Sequence, residues 1–280
     1  MDKIPLGVLQ RALEEDGADY DITTLSTVPA RQQATGSIIA RQAATIAGLR
    51  VAAETFHLFD VGVAVELLVE DGDTVAAGQI LARLSGSARS LLSAERVALN
   101  FLGRLSGIAT ITAQCVRAVE GTSARILDTR KTTPGLRELE KDAVLLGGGH
   151  NHRFGLSDGV LIKDNHIKAA GSIAQAVKAA RHMAPHLLKI EVECETLAEV
   201  REALEANADV LLLDNMSIEL MRTAVELVRR VASHVLIEAS GNIGTNLARL
   251  AAVAATGVDF ISLGAVTHSA PNVDVSLEFA

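Results

Sequence analysis

Aromatic residues and cysteines are scarce in this chain. Its 280 residues include no tryptophan, one tyrosine and six phenylalanines, which leaves almost no surface on which nucleic-acid bases could stack. The net charge of −8 and the lack of a basic tail also argue against a nucleic-acid partner, because such binding depends on neutralising many phosphates. The two cysteines, Cys115 and Cys194, provide neither a disulfide framework nor a metal-binding spacing.

Long apolar runs are lacking as well. None approaches the roughly 18 residues that a membrane span requires, and the first residues interleave charged with apolar side chains, which is typical of an amphipathic helix rather than a signal peptide. We therefore expect no membrane partner and a cytoplasmic location. The hydrophobic content of 49% and the charged content of 21% are ordinary for a globular protein with a sizeable core.

The first part of the chain mixes helices with short strands. Apolar residues at helical spacing predict helices from Leu6 to just before Gly17, over about 49–59, and over about 91–119. We expect the last of these to be interrupted around Gly103 and around Ser106-Gly107. Arg96 and Arg104 lie on it eight residues apart, and on this pattern alone we interpret both as solvated or paired with glutamate.

Residues 63–69 and 75–84 predict a hairpin around the turn at Asp71-Gly72. The hairpin resembles those of biotinyl and lipoyl carrier proteins. Such carriers need an exposed lysine at the turn, but no lysine lies between Lys3 and Lys131. We therefore favour a structural role for it.

From Ala124 onward, apolar runs alternate with amphipathic helices. The runs lie at 126–127, 160–162, 190–192, 210–213, 235–237 and 260–263. Continuous apolar strands separated by helices predict a parallel sheet that is covered by helices. Polar residues follow every run, which favours a barrel over an open doubly wound sheet, because a barrel brings all strand ends to one mouth. The sequence thus predicts an α/β barrel that is short or incomplete.

Cationic side chains follow two of these strands and flank the glycines at 147–149. They are Arg130, Lys131, His152, Arg153 and Lys163. Any one of them could simply be solvated, but together they predict a pocket for a heavily anionic small molecule. Glu193 and Asp214 would face them, and two carboxylates suit a metal ion that accompanies phosphates, ribose hydroxyls, or a positive charge that develops during a reaction.

Two further readings of these charges remain open. Glu191 and Glu195, beside Glu193, are interpreted as ion-pair partners of the local cations. Lys163 at a barrel strand end could form a Schiff base, as in aldolases. A Schiff-base lysine is usually desolvated with few charges around it, whereas Lys163 stands beside Asp164 and within a cationic group, which argues against this chemistry.

A series of motifs spans nearly the whole chain in order. They read AERVALNFLGRLSGIAT, DTRKTTPG, GGGHNHR, LIKDNH, EVEC, LLLDNMS, EASGNI and SLGAVTHSAP. They strongly resemble the quinolinate phosphoribosyltransferase family, the carboxylating nicotinate-nucleotide pyrophosphorylases. The resemblance implies an N-terminal α+β sandwich domain, residues 1–105 with a returning tail at 269–280, and a seven-stranded α/β barrel over residues 106–268.

The resemblance also implies the reaction. In that family, quinolinate and phosphoribosyl pyrophosphate react with magnesium to give nicotinate mononucleotide, pyrophosphate and carbon dioxide, within NAD synthesis. The family works as a dimer, or as a hexamer built of dimers, in which one subunit's N-terminal domain caps the partner's barrel. On that model Arg96 enters the neighbouring site, which replaces the interpretation of this residue from helix spacing alone.

The family's site residues carry over onto matching positions. Quinolinate would be bound by Arg96, Thr129, Arg130, Lys131, His152, Arg153 and Lys163, with Lys131 also near the pyrophosphate. Glu193 and Asp214 would contact the ribose, stabilise the positive charge that develops on it and help to place the magnesium. Together with Lys131 they form the expected catalytic group. The 5′-phosphate would be cradled by Ser240, Gly241, Asn242, Ser262, Leu263 and Gly264.

Two rival functions compete with the enzyme. A transport-associated paralogue of the same fold alters the TRKT and KDNH segments, both of which are intact here. A non-catalytic anion-binding or carrier protein would not need the complete set of cations and carboxylates.

Overall fold

A computed structural model describes residues 4–280, which form two compact units. The first unit contains the chain up to residue 113 together with 132–148 and 269–280, and the second contains 114–131 and 149–268. The boundary that we predicted between residues 105 and 106 falls inside one long helix. Within residues 4–280, every helix is too short or too polar to cross a membrane.

The first unit combines helices with an antiparallel sheet. Its helices are α1 (Leu6–Asp16), a 3-10 turn (Ala18–Tyr20), α2 (Ile22–Thr27), α3 (Leu49–Phe59), α4 (Ala88–Ala118, continuing into the second unit) and α5 (Arg137–Leu146). Its strands are β1 (Gln33–Ala40), β2 (Ala44–Thr45), β3 (Ala64–Leu67), β4 (Thr74–Val75), β5 (Ile80–Ser87) and β12 (Val275–Phe279). Four of them form a sheet in the order β12-β1-β5-β3, and β2 pairs with β4.

The predicted hairpin is only partly correct. Strand β3 pairs antiparallel with β5, but the segment between them contains β4, which pairs with β2 instead. The turn at Asp71 has a different task, because the Asp71 carboxylate accepts the backbone N–H of Leu49 at 2.8 Å. It thereby satisfies a free donor at the start of α3, where Gly48 offers no side-chain cap.

Helix α4 runs unbroken where we expected an interruption. A side chain at Gly107 would collide with the carbonyl oxygen of Pro271, and a Cβ at Gly103 would lie 2.8 Å from that of Val273. The two glycines therefore allow the returning tail to lie directly against the helix. The tail then ends as β12, which pairs antiparallel with β1 from Gly36 to Ala40.

The second unit contains the predicted parallel strands. They are β6 (Arg125–Leu127), β7 (Val160–Ile162), β8 (Ile190–Cys194), β9 (Val210–Asp214), β10 (Leu236–Ser240) and β11 (Phe260–Ser262). They alternate with α6 (Asp164–Ala170), α7 (Ile173–Met183), α8 (Leu197–Glu205), α9 (Ile218–Val231), α10 (Leu247–Ala254) and α11 (Ala265–His268). The strand order is β6-β11-β10-β9-β8-β7, so that each strand from β7 to β10 pairs with the next along the chain, and β11 pairs with β6.

The barrel is open. In the part of the chain that the structure describes, six strands form the sheet and no ladder joins β6 to β7. The position of the seventh strand implied by the resemblance is held by a single parallel bridge between Leu127 and His150. A single residue pair does not make a strand. The pairing stops at His150 because the chain then turns away and places His152 and Arg153 at the cavity.

A buried ion pair holds the first unit together near α5. The Glu140 carboxylate is fully buried and accepts bonds from the Arg104 guanidinium, the closest at 2.9 Å, and from the Thr133 hydroxyl at 2.7 Å. The pairing of Arg104 with a glutamate agrees with our interpretation of that helix residue.

We predict that Arg104→Ala destabilises the protein by about 3–5 kcal/mol, because it leaves the Glu140 carboxylate buried without its cation. The matched control is Arg83→Ala. Its ion pair with Glu66 is exposed on both sides, and we expect a loss of about 0–1 kcal/mol. Urea unfolding of both variants measures the difference, and equal small losses would contradict the role given to Glu140.

Candidate active site

A cavity of about 440 Å³ opens at the carboxyl ends of the second unit's strands. It is lined by Thr129, Arg130, Lys131, His152, Arg153, Leu161, Lys163, Glu193, Leu212, Asp214, Asn215, Glu238, Ser240, Gly241, Asn242 and Ser262. All belong to the second unit. The structure therefore brings the predicted cations, both predicted carboxylates and most of the predicted phosphate-binding residues around one space.

Three predicted residues do not line this cavity. Arg96 is exposed on α4 in the first unit. Leu263 is buried, and its backbone N–H donates to the Leu127 carbonyl at 2.9 Å. Gly264 is adjacent, since a Cβ there would lie 3.0 Å from Cδ of Lys131.

A buried aspartate orients the segment that carries His152. Asp128, at the end of β6, is fully buried and its carboxylate accepts the backbone N–H of His152 at 2.8 Å. The Asp128 backbone N–H donates to the carbonyl of His150 at 3.1 Å. The next residue, Arg153, donates from Nη1 to the carbonyl of Gly159 at 2.9 Å. Burial, followed by the nearby charge of Arg130, lowers the pKa of Arg153, which is the expected result of gathering cations in a half-buried site.

The two carboxylates at the strand ends differ in their surroundings. Lys163 donates from Nζ to the Glu193 carboxylate. Burial and the charge of Glu193 raise the pKa of Asp214, and the cations Lys163 and Lys131 only partly oppose this shift. The site thus has carboxylate oxygens that repel one another. A hard divalent cation takes such oxygen ligands and would relieve the repulsion, so these residues fit magnesium.

The ends of β9 and β10 are joined by polar backbone and amide contacts. Asn242 donates from its amide to Oδ1 of Asn215 at 2.9 Å, and the backbone N–H of Asn215 donates to the carbonyl of Ser240 at 3.1 Å. Gly241 has a φ of 81°, and a Cβ there would lie within 2.6 Å of Oδ1 of both Asn215 and Asp214. Glycine thus suits both the backbone conformation and the close approach of these two side chains, which a Cβ would displace.

Two buried glutamates, Glu191 and Glu238, lie next to His152. Our sequence interpretation gave neither of them a catalytic role. Nε2 of His152 is 3.3 Å from Glu191 and 3.5 Å from Glu238, so Glu191 does contact a potential cation as expected. Burial and then the charge of Glu191 raise the pKa of Glu238 to about 8. For His152, burial lowers the pKa, but the hydrogen bond with Glu191 and the charges of both glutamates outweigh it and raise the pKa.

A signal for these two residues was present in the sequence. Glu191 precedes Glu193 by two residues on β8, and Glu238 precedes Ser240 by two on β10. Side chains two apart on a strand share a face. Applying that period to the strand-end residues would have placed both glutamates inside the barrel.

We predict that Gly241→Ala reduces activity by on the order of 10²-fold, because a Cβ there would displace Asp214 and a shift of about 1 Å at a catalytic group has that effect. The matched control is Gly244→Ala. Gly244 also has a positive φ, of 64°, but nothing lies within 4 Å of its Cβ position. Both variants carry a similar backbone strain of about 1–2 kcal/mol, which thermal unfolding measures. Steady-state kinetics then shows whether Gly241→Ala has an additional effect from the displacement of Asp214. Equal activities in the two variants would refute the displacement.

Comparison with known proteins supplies independent findings. Residues 21–106 match the quinolinate phosphoribosyl transferase N-terminal domain, and residues 108–278 match the C-terminal domain. A probable carboxylating nicotinate-nucleotide pyrophosphorylase of Bacillus subtilis is 46% identical over 264 residues, covering 94% of this chain and 89% of that protein. The corresponding enzyme of Mycobacterium leprae is 45% identical over 273 residues, covering 96% and 95%. The crystal structure of nicotinate-nucleotide pyrophosphorylase from Ehrlichia chaffeensis superposes with a TM-score of 0.94 at 39% identity and covers both chains fully, at 100%.

Proposed function

This chain belongs to the quinolinate phosphoribosyl transferase family, and we propose the roles that its cavity residues take in the family's reaction. The protein is a carboxylating nicotinate-nucleotide pyrophosphorylase of NAD biosynthesis. It transfers the phosphoribosyl group of phosphoribosyl pyrophosphate to the nitrogen of quinolinate, and carbon dioxide is lost. The observation that carries the assignment of roles is the single cavity in which Arg130, Arg153 and Lys163 stand with Glu193 and Asp214.

Quinolinate carries two carboxylates on adjacent ring carbons. Arg130 and Arg153 offer planar forks that suit carboxylates, and Lys163 offers a point charge beside them. Each charge-assisted hydrogen bond contributes about 1.5–3 kcal/mol, so these cations together can hold the dianion firmly. Thr129 and His152 line the same cavity and complete the binding group.

Phosphoribosyl pyrophosphate occupies the other side of the cavity in this proposal. Lys131 binds the pyrophosphate, and Ser240, Gly241, Asn242, Ser262 and Gly264 bind the 5′-phosphate. Glu193 and Asp214 contact the ribose and stabilise the positive charge that develops at its anomeric carbon. Both are also the proposed magnesium ligands, directly or through water. A magnesium ion held by these two carboxylates would supply positive charge next to the pyrophosphate oxygens.

Assembly and location complete the proposal. Arg96 is exposed on α4, and we place it in the active site of a partner subunit, within a dimer or a hexamer. A cytoplasmic location fits the two cysteines, because Cys115 and Cys194 are both free, buried thiols and reducing compartments keep thiols in this state.

The rival functions receive no support. Relatives that cover nearly the whole chain are pyrophosphorylases and phosphoribosyltransferases by name, which favours the enzyme over the transport-associated paralogue. Schiff-base chemistry at Lys163 is disfavoured, because its ammonium is bound to the Glu193 carboxylate and an amine must lose its proton before it attacks a carbonyl.

We predict that the purified protein converts quinolinate and phosphoribosyl pyrophosphate into equal amounts of pyrophosphate, carbon dioxide and nicotinate mononucleotide, and that the reaction requires magnesium. Lys131→Ala should lose nearly all activity, because its cation is proposed to bind the leaving pyrophosphate. The exposed Lys178 on α7 provides the control, since Lys178→Ala should leave the rate unchanged. Labelled carboxylate and phosphate assays follow the products, and full activity in Lys131→Ala would exclude the proposed role.

The shared site is tested by mixing subunits. Arg96→Ala and Lys163→Ala proteins should each be nearly inactive, but their mixture should recover activity, because one hybrid site then contains both intact residues. Subunit exchange is verified by native mass spectrometry. Exchange without any recovery would rule out a composite site.

A further inference from the structure

The interior of the second unit contains a polar group in which the substrate-binding roles use only the histidine. It consists of His152, Glu191 and Glu238, whose potential ligand atoms all lie within 4.8 Å of one another. Glu191 is 8% exposed and Glu238 is 3% exposed. One oxygen of each carboxylate has no hydrogen-bond partner among the described residues. Buried oxygens without partners are costly, so a functional reason for keeping two of them is expected.

The group lies between two cavities. His152 and Glu238 line the substrate cavity, whereas His152 and Glu191 line a second cavity of about 300 Å³ on the other side, which also borders Asp158 and Lys189. All of these residues belong to the second unit. Glu238 is therefore the glutamate of this group that borders the substrate cavity.

The charges around the group favour one protonated carboxylate. Two carboxylates close together in a buried site do not both ionise readily. Burial and the charge of Glu191 raise the pKa of Glu238 to about 8, while His152 and a hydrogen bond from Ser262 oppose the shift. Glu238 is therefore a neutral acid at pH 7. Arg153 is the other charge that acts on His152.

The backbone around His152 determines which ring nitrogen carries the proton. Its Nδ1 accepts the backbone N–H of Arg153 at 2.7 Å, so the neutral ring carries its proton on Nε2, facing the two glutamates. Protonating Nδ1 would sacrifice that bond, and we therefore assign the neutral ring as the resting form although the glutamates favour the cation. With one proton on His152 and one on Glu238, both of these residues are neutral.

The reaction needs a proton at one defined moment. When the ribosylated ring loses carbon dioxide, the carbon–carbon bond at C2 breaks and its electron pair stays on C2, beside the positive ring nitrogen. That carbanion either recaptures carbon dioxide or accepts a proton. A carboxylic acid in the wall of the same cavity meets this requirement, as a buried glutamate does when it serves as a general acid.

We propose that Glu238 is the catalytic acid that protonates C2 after decarboxylation. The O–H bond of Glu238 breaks as the C–H bond forms, and Glu238 becomes a carboxylate. A solvent proton restores the acid after the product leaves the cavity, so that one proton is consumed in each turnover. The proposal rests on the proposed function of the substrate cavity.

The test uses Glu238→Gln, which keeps the shape of the side chain but removes its acidic proton. In single turnovers the rate of nicotinate mononucleotide formation should fall on the order of 10²-fold or more, while calorimetry should show unchanged quinolinate binding. The matched control, Glu205→Gln at an exposed position on α8, should behave as wild type. An inactive wild type would refute the proposed function itself, whereas an active wild type with an equally active Glu238→Gln refutes only the proton donor. Weaker quinolinate binding at an unchanged rate would also overturn the proposal, since it would make Glu238 a structural support.

The pH dependence of the rate gives a second way to distinguish Glu238 as a proton donor from Glu238 as a purely structural residue. The donor must be protonated, so the wild-type rate should fall as the pH rises through the pKa of Glu238, about 8, and Glu238→Gln should lack this fall. In Glu191→Gln the fall should begin at lower pH, because the charge of Glu191 is one of the causes that raise the pKa of Glu238. Infrared spectroscopy at pH 7 should show a protonated carboxyl band that Glu238→Gln lacks. Loss of that band on addition of magnesium alone would mean that the group is a cation site, and the proposal would fail.

Discussion

The parallel register of the second unit is the constraint on which the site depends. Residues that are paired across β8, β9 and β10 point to the same face, and a step of two along any strand keeps that face. Polar side chains therefore face the inside of an open barrel in two layers, which we define by burial. The upper, half-buried layer contains Glu193, Asp214 and Ser240, and the lower, buried layer contains Glu191 and Glu238. A slip of one residue in any strand would turn its polar side chains outward.

The electrostatics of the two layers follow from their depth. The upper layer is half-buried, and one of its carboxylates, that of Glu193, pairs directly with Lys163. In the lower layer there is little solvent, so charge is limited and the pKa of Glu238 rises. Burial raises the free energy of a charged carboxylate, and it thereby keeps Glu238 protonated. Binding and proton transfer are thus assigned to different layers of one cavity, and the difference between the layers is their access to water.

Much of this arrangement could be predicted from the sequence, and the misses have physical reasons. Apolar runs followed by polar residues predicted the parallel strands and the residues at their ends. The break expected in α4 was wrong because glycine has two uses, and at Gly103 and Gly107 it allows close approach rather than a turn. The seventh strand is a single bridge at His150, since the chain there turns to position His152. The role of Glu238 depends on burial and on His152, which is distant along the chain, and no local pattern contains that information.

The most direct test of the account is a crystal structure of the protein with quinolinate bound. The account predicts that the two carboxylates contact Arg130, Arg153 and Lys163, and that ring carbon C2 lies on the side of the cavity where His152 and Glu238 are found. A ring bound with C2 directed toward Asn242, away from the lower layer, would contradict the assignment of binding and proton transfer to one shared cavity.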